Sequence, residues 1–359
     1  MSQRAGRASR SLLHGLQILI LCAIGLTAVH AWAGSHRLLR EGIGLQRFAA
    51  ARGSLPVPAQ RFRPVAVHDA LNRADALAAG DRLVLNLFPD VHLEARIESA
   101  RVNAMGSLTV RARVPGKRFS QALVVTSGRR TAVYIDVPET GAFYQIVQEG
   151  ASGPSHLYEV RKQDLHPSPP QAVRIPGAES PLVGDRLSVS AAAQAGDGES
   201  DPATIDVLVV YTPGARAWAE GQGGIDNVIA AAMAKAQLVA DNSESGVTLR
   251  LVHSAEVDYA ESFSMETDLD RLTDRRDGWM DEVHEWRDTY EADLVAMLTD
   301  PAEDDVGGMA WILEDAWGDP DYGFSLTRVQ QATWTQTLAH EMGHNMGLHH
   351  HKEQNVQRG

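Results

Sequence analysis

Near the carboxyl end of the 359-residue chain, the segment HEMGHNMGLHH contains His340, Glu341, His344, Gly347, His349 and His350. Two histidines four residues apart lie on one face of a helix, so both imidazoles can reach a single ion. Gly347 adopts a positive φ at little cost, which would end the helix and bring His350 back to the metal. The spacing therefore predicts a three-histidine metal site, with His349 left as an alternative third ligand.

The chemistry of such a site follows from its ligand count. Three protein ligands leave the fourth position of a zinc ion open, which is the catalytic arrangement. Zinc in an open site lowers the pKa of a water molecule to about 7. Glu341, next to the first histidine, is placed to take the proton and return it to the leaving amine. We therefore predict peptide-bond hydrolysis with one Zn²⁺ held by His340, His344 and His350 and with Glu341 as the catalytic base.

Alternating strands and helices surround this motif over residues 204–359. The apolar, β-branched run at 205–212 is typical of a strand buried on both faces. The pattern further predicts strands at 247–257 and 292–298, short extended segments at 308–313 and 324–329, and helices at 225–241, 266–276, 280–290 and 333–346. This order predicts an α/β domain whose last helix carries the metal ligands.

The amino-terminal half has a different pattern. From about residue 65 to 161, apolar and polar side chains alternate, with turn residues about every ten positions, which predicts a β-rich domain at 34–164 that contains a small antiparallel sandwich or barrel. Residues 165–203 are rich in Pro, Gly, Ser and Ala without apolar periodicity, which indicates an exposed linker and processing region. Together with residues 1–33, discussed next, the predicted domains are 1–33, 34–164, 165–203 and 204–359.

Residues 1–33 have the pattern of a secretory signal peptide. Three arginines precede an apolar stretch at 16–29, and alanines flank Trp32 just before Gly34. The apolar stretch is shorter than the about 20 residues that a membrane-spanning helix needs. We therefore expect cleavage after residue 33, secretion, and no stable membrane anchor. The single cysteine, Cys22, lies in this stretch, which excludes disulfide frameworks and cysteine-ligated zinc elsewhere.

Charge is divided unevenly between the two halves. The chain has a net charge of −13, but residues 1–200 carry 23 Lys and Arg against 16 Asp and Glu, whereas residues 201–359 carry 10 against 30. An acidic protein without a basic footprint is not expected to bind nucleic acid. Without the signal peptide, residues 34–200 keep a net charge of +4 against −20 for the rest. This complementarity favours association of the two halves.

The extended motif resembles that of the metzincin metalloproteases. Three further segments, IDVLVVYTPGAR at 205–216, the stretch 277–295 and GGMAWI at 307–312, resemble bacterial reprolysin-like enzymes of the peptidyl-Asp metalloendopeptidase type. GDRLVLNLFPDV at 80–91 resembles the propeptide of the same group. The resemblance implies a multidomain protein: a β-rich prodomain, then an α/β (α+β) catalytic domain with a mixed twisted sheet and an active-site helix.

The resemblance also implies functional details. It gives the zinc ligands and base named above, a substrate strand along the cleft rim near 308–313, cleavage at Asp, and protein or peptide substrates. The β-rich domain would be a propeptide that covers the cleft as an intramolecular inhibitor. Two departures from the family are His351, where the reprolysin group has Asp, and an end nine residues after His350 without the methionine turn. We therefore expect a truncated chain.

Two alternative functions remain open, and several individual residues have a simple structural interpretation. The chain could be a zinc-binding but inactive pseudoprotease, or an extracellular binding protein that acts through its β-rich domain. His284 could contact a metal or a substrate, but a surface or boundary position on its amphipathic helix is favoured. The acidic loop could hold Ca²⁺, but its spacing matches no regular calcium loop, so a solvated loop is favoured for Asp300, Glu303, Asp304 and Asp305. Core packing is expected for most of Trp279, Trp286, Trp311, Trp317 and Trp334, with Trp311 as the exception at the cleft.

Overall fold

The computed structural model describes residues 34–41, 59–148, 153–164, 174, 203–301, 306–313 and 320–350, apart from 118 and 263. The predicted signal peptide at 1–33 and nearly all of the predicted linker lie outside the described residues, as do Trp317 and residues 302–305 of the acidic loop. Among the described residues, no helix combines the length and the apolar character needed to span a membrane.

The amino-terminal part forms a nine-stranded sheet with the order β1-β3-β4-β5-β6-β7-β8-β9-β2. Neighbouring strands are antiparallel except for the parallel pair β1 and β3. The strands are β1 (Ser35–Arg37), β2 (Ala59–Val65), β3 (Arg82–Phe88), β4 (Val91–Val102), β5 (Leu108–Arg113), β6 (Gln121–Ser127), β7 (Arg130–Val137), β8 (Ala142–Gln148) and β9 (Ser155–Arg161). Short 3₁₀ helices flank them at Asp69–Asn72, Ala74–Ala76, Pro138–Thr140 and Lys162–Asp164.

This sheet curls until its two ends meet. An antiparallel bridge joins Leu39, just after β1, to Val67, just after β2. The Arg63 guanidinium on β2 also donates to the backbone carbonyls of Asn86 and Leu87 on β3. The curled sheet encloses a core to which alternate residues of the strands contribute, among them Leu83, Leu85, Leu87, Val110, Val124, Val133 and Ile135. The period-two pattern follows from this, since one side of each strand faces the enclosed core.

The carboxyl-terminal part is built on a five-stranded mixed sheet with the order β11-β10-β12-β14-β13. All neighbours are parallel except β13, which runs antiparallel to β14 and forms one edge. The strands are β10 (Ala203–Tyr211), β11 (Val247–Glu256), β12 (Leu294–Thr299), β13 (Gly308–Ala310) and β14 (Phe324–Arg328). Edge strand β13 therefore presents one side on which a further extended chain can pair.

Helices cover both faces of this sheet. They are α1 (Pro213–Glu220), α2 (Ile225–Asn242), α3 (Met265–Thr273), α4 (Glu282–Thr289), α5 (Val329–Trp334) and α6 (Thr337–Asn345), with a 3₁₀ helix at Pro320–Tyr322. Val207 and Val209 of β10 pack with α1, α2, α5 and α6, whereas Leu208 and Val210 pack with α3 and α4. Strand β10 is thus buried on both faces, which explains its uninterrupted apolar sequence.

Two local differences from the sequence-based expectations have clear causes. The single helix expected at 333–346 is wrong, because Thr335 has extended backbone angles and separates α5 from α6. Its hydroxyl oxygen accepts a hydrogen bond from the Thr337 amide and so satisfies the start of α6. Helix α1 was not anticipated, although Thr212 and Pro213 supply a cap and a first helical residue; the Thr212 hydroxyl accepts from the Ala215 amide.

Helix α2 lies between the two sheets. Its residues Val228, Ile229 and Ala232 pack into the core of the five-stranded sheet, and its opposite side packs against the curled sheet. The contacts on that opposite side come from three alanines, Ala230, Ala231 and Ala234, which meet Leu123, Val125, Ala132, Tyr134 and Phe143. Small side chains let the helix approach the sheet closely, and strands β6 to β8 are therefore buried on both faces.

Charged pairs surround this apolar contact and follow the charge division of the sequence. Arg111 of the curled sheet lies 2.8 Å from Asp241 of α2, and Arg130 lies 2.8 Å from Glu220 of α1. A buried hydrogen bond of 2.8 Å also joins the side-chain amides of Gln145 and Gln222. The basic half thus supplies arginines to carboxylates of the acidic half, as expected for complementary surfaces.

Lys235 of α2 is buried at this interface, and replacing it by methionine is expected to stabilise the fold at neutral pH. Its ammonium group donates to the Thr333 carbonyl and lies 5.5 Å from the centre of the Phe143 ring. Burial lowers the pKa of Lys235 from 10.5 to about 8. Between these pH values the folded chain binds fewer protons than the unfolded chain, so stability rises with pH.

The change is measured as the free energy of unfolding of the parent and of Lys235→Met at pH 7 and pH 10. The advantage of the variant is expected to be on the order of 3 kcal/mol at pH 7 and to shrink at pH 10. Lys117→Met is the control, because Lys117 lies in the turn between β5 and β6 and is only partly buried. An advantage that does not depend on pH would contradict the assignment to the buried charge.

Candidate active site

Helix α6 carries two of the predicted ligands, and its end positions the third. Gly347 has φ of 85°, its amide donates to the His344 carbonyl, and the Leu348 amide donates to the Gly343 carbonyl. These two hydrogen bonds form a Schellman motif, which ends the helix and reverses the chain. The reversed chain brings His350 back to the first turns of α6.

The three histidines converge on one point. The Nε2 atoms of His340 and His350 are 2.9 Å apart, and the Nε2 atom of His344 is 3.1 Å from each of them. Nitrogens at these separations can all lie about 2.0–2.1 Å from a single ion, which is the usual zinc–nitrogen distance. Three ring nitrogens facing one another need a shared cation or protons to offset the repulsion of their lone pairs. The donor set therefore fits a metal ion with an open coordination position.

A backbone carbonyl fixes the His344 ring. Its Nδ1 atom lies 2.6 Å from the Leu348 carbonyl oxygen. A carbonyl oxygen only accepts, so Nδ1 carries the proton and Nε2 keeps its lone pair free for a ligand role. Burial lowers the pKa of His344 to about 4 and also lowers the pKa of His340. Both rings are consequently neutral at pH 7, the form that coordinates metals.

Glu341 follows His340 on helix α6 and is buried, with 2% of its surface exposed. Burial raises the pKa of its carboxyl group from 4.5 to about 8. A neighbouring cation lowers the pKa of a carboxyl group, so an ion at the histidine cluster would oppose this effect of burial. The carboxyl group is therefore set in a dry environment where it can hold or release a proton near neutral pH.

Strand β13 lies directly against Glu341. A Cβ atom added at Gly308 would meet Glu341 Cγ at 2.7 Å, the Leu326 carbonyl oxygen at 2.7 Å and Glu341 Oε1 at 2.8 Å. Only glycine leaves room for this close approach. Sequence reasoning placed residue 308 in a rim strand and missed this contact, because it joins residues 33 positions apart.

Asn345, at the last turn of α6, connects the helix to the neighbouring strands. Its side-chain amide donates to the carbonyls of Trp311 at 2.9 Å and Phe324 at 3.0 Å. The Leu313 amide donates to the His344 carbonyl at 3.2 Å. These bonds hold the ligand-bearing helix against the edge strand. Asn345 was also missed by sequence reasoning, although its place directly after His344 was a usable signal.

The predicted site residues come together in part. His340, His344 and His350 surround one point, and Glu341 is buried next to His340 on α6, whereas His349 is exposed and does not belong to the cluster formed by the described residues. The surface or boundary placement of His284 is wrong: it is 6% exposed and packs 5.2 Å from the Phe324 ring, because α4 turns this face toward the sheet.

Two tryptophans also differ from expectation. Trp279 is 45% exposed, so core packing is wrong for it; the Arg271 guanidinium lies 4.3 Å from the centre of its ring. Trp311 follows β13 as expected but is 6% exposed, and its indole donates to the Thr273 hydroxyl at 2.8 Å. In the acidic loop, Asp300 accepts a hydrogen bond from the Gln330 side chain at 2.6 Å. The other three acidic residues lie outside the described part.

The comparisons with known proteins agree with this geometry. The family model of the metallo-peptidase family M12B, reprolysin-like, matches residues 227–351. A peptidyl-Asp metalloendopeptidase of Xanthomonas campestris pv. campestris is 28% identical over 364 residues, covering 95% of this chain and 81% of that protein. A peptidyl-Asp metalloendopeptidase of Pseudomonas aeruginosa is 33% identical over 186 residues, covering 48% of this chain and 28% of that protein.

The match among solved structures is weaker. The crystal structure of metalloproteinase-II from Bacteroides fragilis has a TM-score of 0.48 and 12% identity, covering 76% of this chain and 82% of that chain. Coverage also differs among the relatives, since this chain spans only 39% of a peptidyl-Asp metalloendopeptidase of Stenotrophomonas maltophilia, to which it is 31% identical.

Proposed function

We propose that this protein, whose residues 227–351 match the family model of the reprolysin-like metallo-peptidase family M12B, is a secreted zinc-dependent endopeptidase made as a proenzyme. The observation that carries the proposal is the convergence of three Nε2 atoms within 3.1 Å of one another beside a buried carboxyl group on the same helix. Three neutral imidazoles and one carboxylate are the set that hydrolysis by an activated water needs.

Each group has a defined task in this proposal. His340, His344 and His350 would hold the zinc ion, with the Leu348 carbonyl keeping His344 in the required tautomer. When bound, zinc supplies a Lewis acid that polarises the scissile carbonyl and makes water acidic enough to react at neutral pH. Glu341 accepts the proton of the attacking water and delivers it to the departing amine. Its burial excludes bulk water from this transfer.

The substrate is proposed from two lines of support. Extended peptides pair with the edge strands of sheets, and β13 is an edge strand of the five-stranded sheet that lies beside Glu341. The relatives of Xanthomonas, Pseudomonas and Stenotrophomonas are named peptidyl-Asp metalloendopeptidases. We therefore propose protein or peptide substrates cleaved at Asp.

The proenzyme part of the proposal concerns the amino-terminal half. Residues 1–33 would direct secretion, residues 34–164 would be the propeptide, and the linker at 165–203 would be the processing region. Support comes from the signal-peptide pattern and from the arginine–carboxylate pairs between the curled sheet and helices α1 and α2. The sheet contacts the outer side of α2, so the propeptide would be anchored there.

The test uses the full chain loaded with zinc, before and after limited proteolysis of the linker. Hydrolysis is measured on two peptides that differ only in Asp against Asn. We expect one zinc per chain, turnover after linker cleavage that prefers the Asp peptide, loss of turnover with a chelator and recovery when zinc is restored. One bound zinc without turnover before or after cleavage would overturn the endopeptidase proposal, and equal cleavage of both peptides would overturn the Asp preference alone.

A further inference from the structure

Arg174, from the predicted linker, pairs with the edge of the five-stranded sheet. Its amide donates to the Ala310 carbonyl at 3.1 Å, and its carbonyl accepts from the Ile312 amide at 2.8 Å. These bonds form a parallel bridge between Arg174 and Trp311. The other side of β13 is already paired with β14. Arg174 therefore occupies the edge on which an extended peptide would add to the sheet.

The Arg174 side chain fills a pocket made by the carboxyl-terminal half. Its guanidinium carbon lies 4.5 Å from the centre of the Trp311 ring, within the range of a cation–π interaction. The guanidinium also forms an ion pair with Asp270 and donates to the Glu266 carbonyl at 3.2 Å. We call the set of Trp311, Asp270 and the Glu266 carbonyl the rim pocket. Its polar groups toward the guanidinium are acceptors, so it selects a cation.

The rim pocket favours arginine over lysine for geometric reasons. A planar guanidinium can stack on an aromatic ring and donate in two directions at once, which a lysine ammonium does not do as well. Contacts outside the linker also support the pocket, because the Trp311 indole donates to the Thr273 hydroxyl and Asp270 lies on helix α3. Removal of Arg174 would leave these groups in place for another arginine.

The edge that Arg174 covers is the edge next to the catalytic residues. Gly308, at the start of β13, contacts Glu341, and the Trp311 carbonyl accepts from Asn345 of the ligand-bearing helix. An extended chain paired with residues 310–312 thus lies beside the reacting centre. A linker residue paired there blocks a substrate from the same backbone groups.

We propose that the rim pocket is a binding subsite for an arginine side chain of an extended peptide, and that Arg174 fills it in the precursor and keeps the enzyme latent. The inference rests on the proposed endopeptidase function for its latency arm only. The described contacts between the curled sheet and α2 lie away from the edge of β13. In this proposal, a single linker residue, Arg174, makes the contact that blocks this edge. The ligand class is an arginine-containing peptide in extended conformation.

Binding is tested without turnover, on the full chain carrying Glu341→Gln. The probe is a fluorescent peptide with the sequence of residues 170–178, PQAVRIPGA, and the readout is anisotropy. We expect Arg174→Ala to bind the probe at least roughly tenfold more tightly than the chain with Arg174, which competes at high effective concentration. Arg174→Lys should fall between the two. A probe with alanine in place of arginine should not bind.

Matched charge variants locate the probe. In the Arg174→Ala background, Asp270→Asn should weaken binding at least roughly tenfold because it removes the ion pair with the guanidinium, whereas Glu285→Gln on α4 should leave it unchanged. The proposed subsite would be refuted if the chains with and without Arg174 bound the probe with the same affinity. It would also be refuted if Asp270→Asn bound the probe as tightly as its Arg174→Ala parent.

The latency arm uses chains with Glu341 intact. Arg174→Ala should hydrolyse a peptide at least roughly tenfold faster than the parent before linker cleavage. If Arg174→Ala and the parent are both active and hydrolyse the peptide at the same rate, Arg174 does not keep the enzyme latent. Probe binding in a chain that never hydrolyses peptides would support the subsite and refute the proposed function, so the two failures are distinguishable.

Discussion

Glu341→Gln is expected to lower peptide turnover by about 10²–10⁴-fold and to leave one zinc bound per chain. Glutamine keeps the size of the side chain and its burial but cannot accept a proton from water. The three histidine nitrogens that surround the metal position are unaffected, because they belong to other residues. The measurement pairs kcat on the processed chain with the zinc content of the same preparation.

Two controls separate proton transfer from general damage. Glu285→Gln makes the same chemical change on the exposed side of α4 and should keep full turnover. His344→Ala should lose both turnover and zinc, since it removes a ligand. Turnover of Glu341→Gln within a factor of about 3 of the parent would show that another group accepts the proton, contrary to the proposed role.

Gly308→Ala is expected to lower kcat by about 10²-fold, although residue 308 carries no reactive group. The new methyl group would lie 2.7 Å from Glu341 Cγ and 2.7 Å from the Leu326 carbonyl oxygen, so either the glutamate or strand β13 must move. A displacement near 1 Å is enough to spoil a proton transfer that depends on position. Overpacking of this kind also costs about 1–3 kcal/mol of stability. Turnover and thermal unfolding are measured on the same samples.

Gly221→Ala is the matched control. The nearest atom to its added Cβ would be the Trp218 carbonyl oxygen at 3.6 Å, an ordinary contact, and its φ of −76° suits alanine. It should unfold and turn over like the parent. If Gly308→Ala keeps the kcat of the parent while remaining folded, the close approach of β13 to Glu341 does not position the carboxylate.

The convergence of the three histidines could be predicted from sequence because its geometry is local. His340 and His344 share a helix face, and Gly347 reverses the chain within three residues, so short-range rules place all three nitrogens. The contacts of Gly308 and Arg174 could not be predicted in the same way. They join residues that are distant in sequence, and only the pairing of β13 brings them to the site.

The fold was predictable to a similar extent. Alternation with period two and continuous apolar runs indicate strands and their burial, and β10, β11, β12 and α2 lie where these patterns placed them. The break between α5 and α6 was not visible, because Thr335 tolerates both helical and extended angles and its hydroxyl decides the outcome locally. The burial of His284 depends on which way a whole helix faces, which its own sequence does not fix.

If the two halves separate as proposed, the alanine face of α2 would become exposed to water. Alanine buries little apolar surface compared with leucine, so each methyl contributes only a small part to adhesion. Exposure of Ala230, Ala231 and Ala234 after processing would therefore not create a large apolar patch on the surface. Lys235 would regain hydration at the same moment. If the two halves separate as proposed, the surface of α2 that binds the curled sheet would thus expose little apolar area to water.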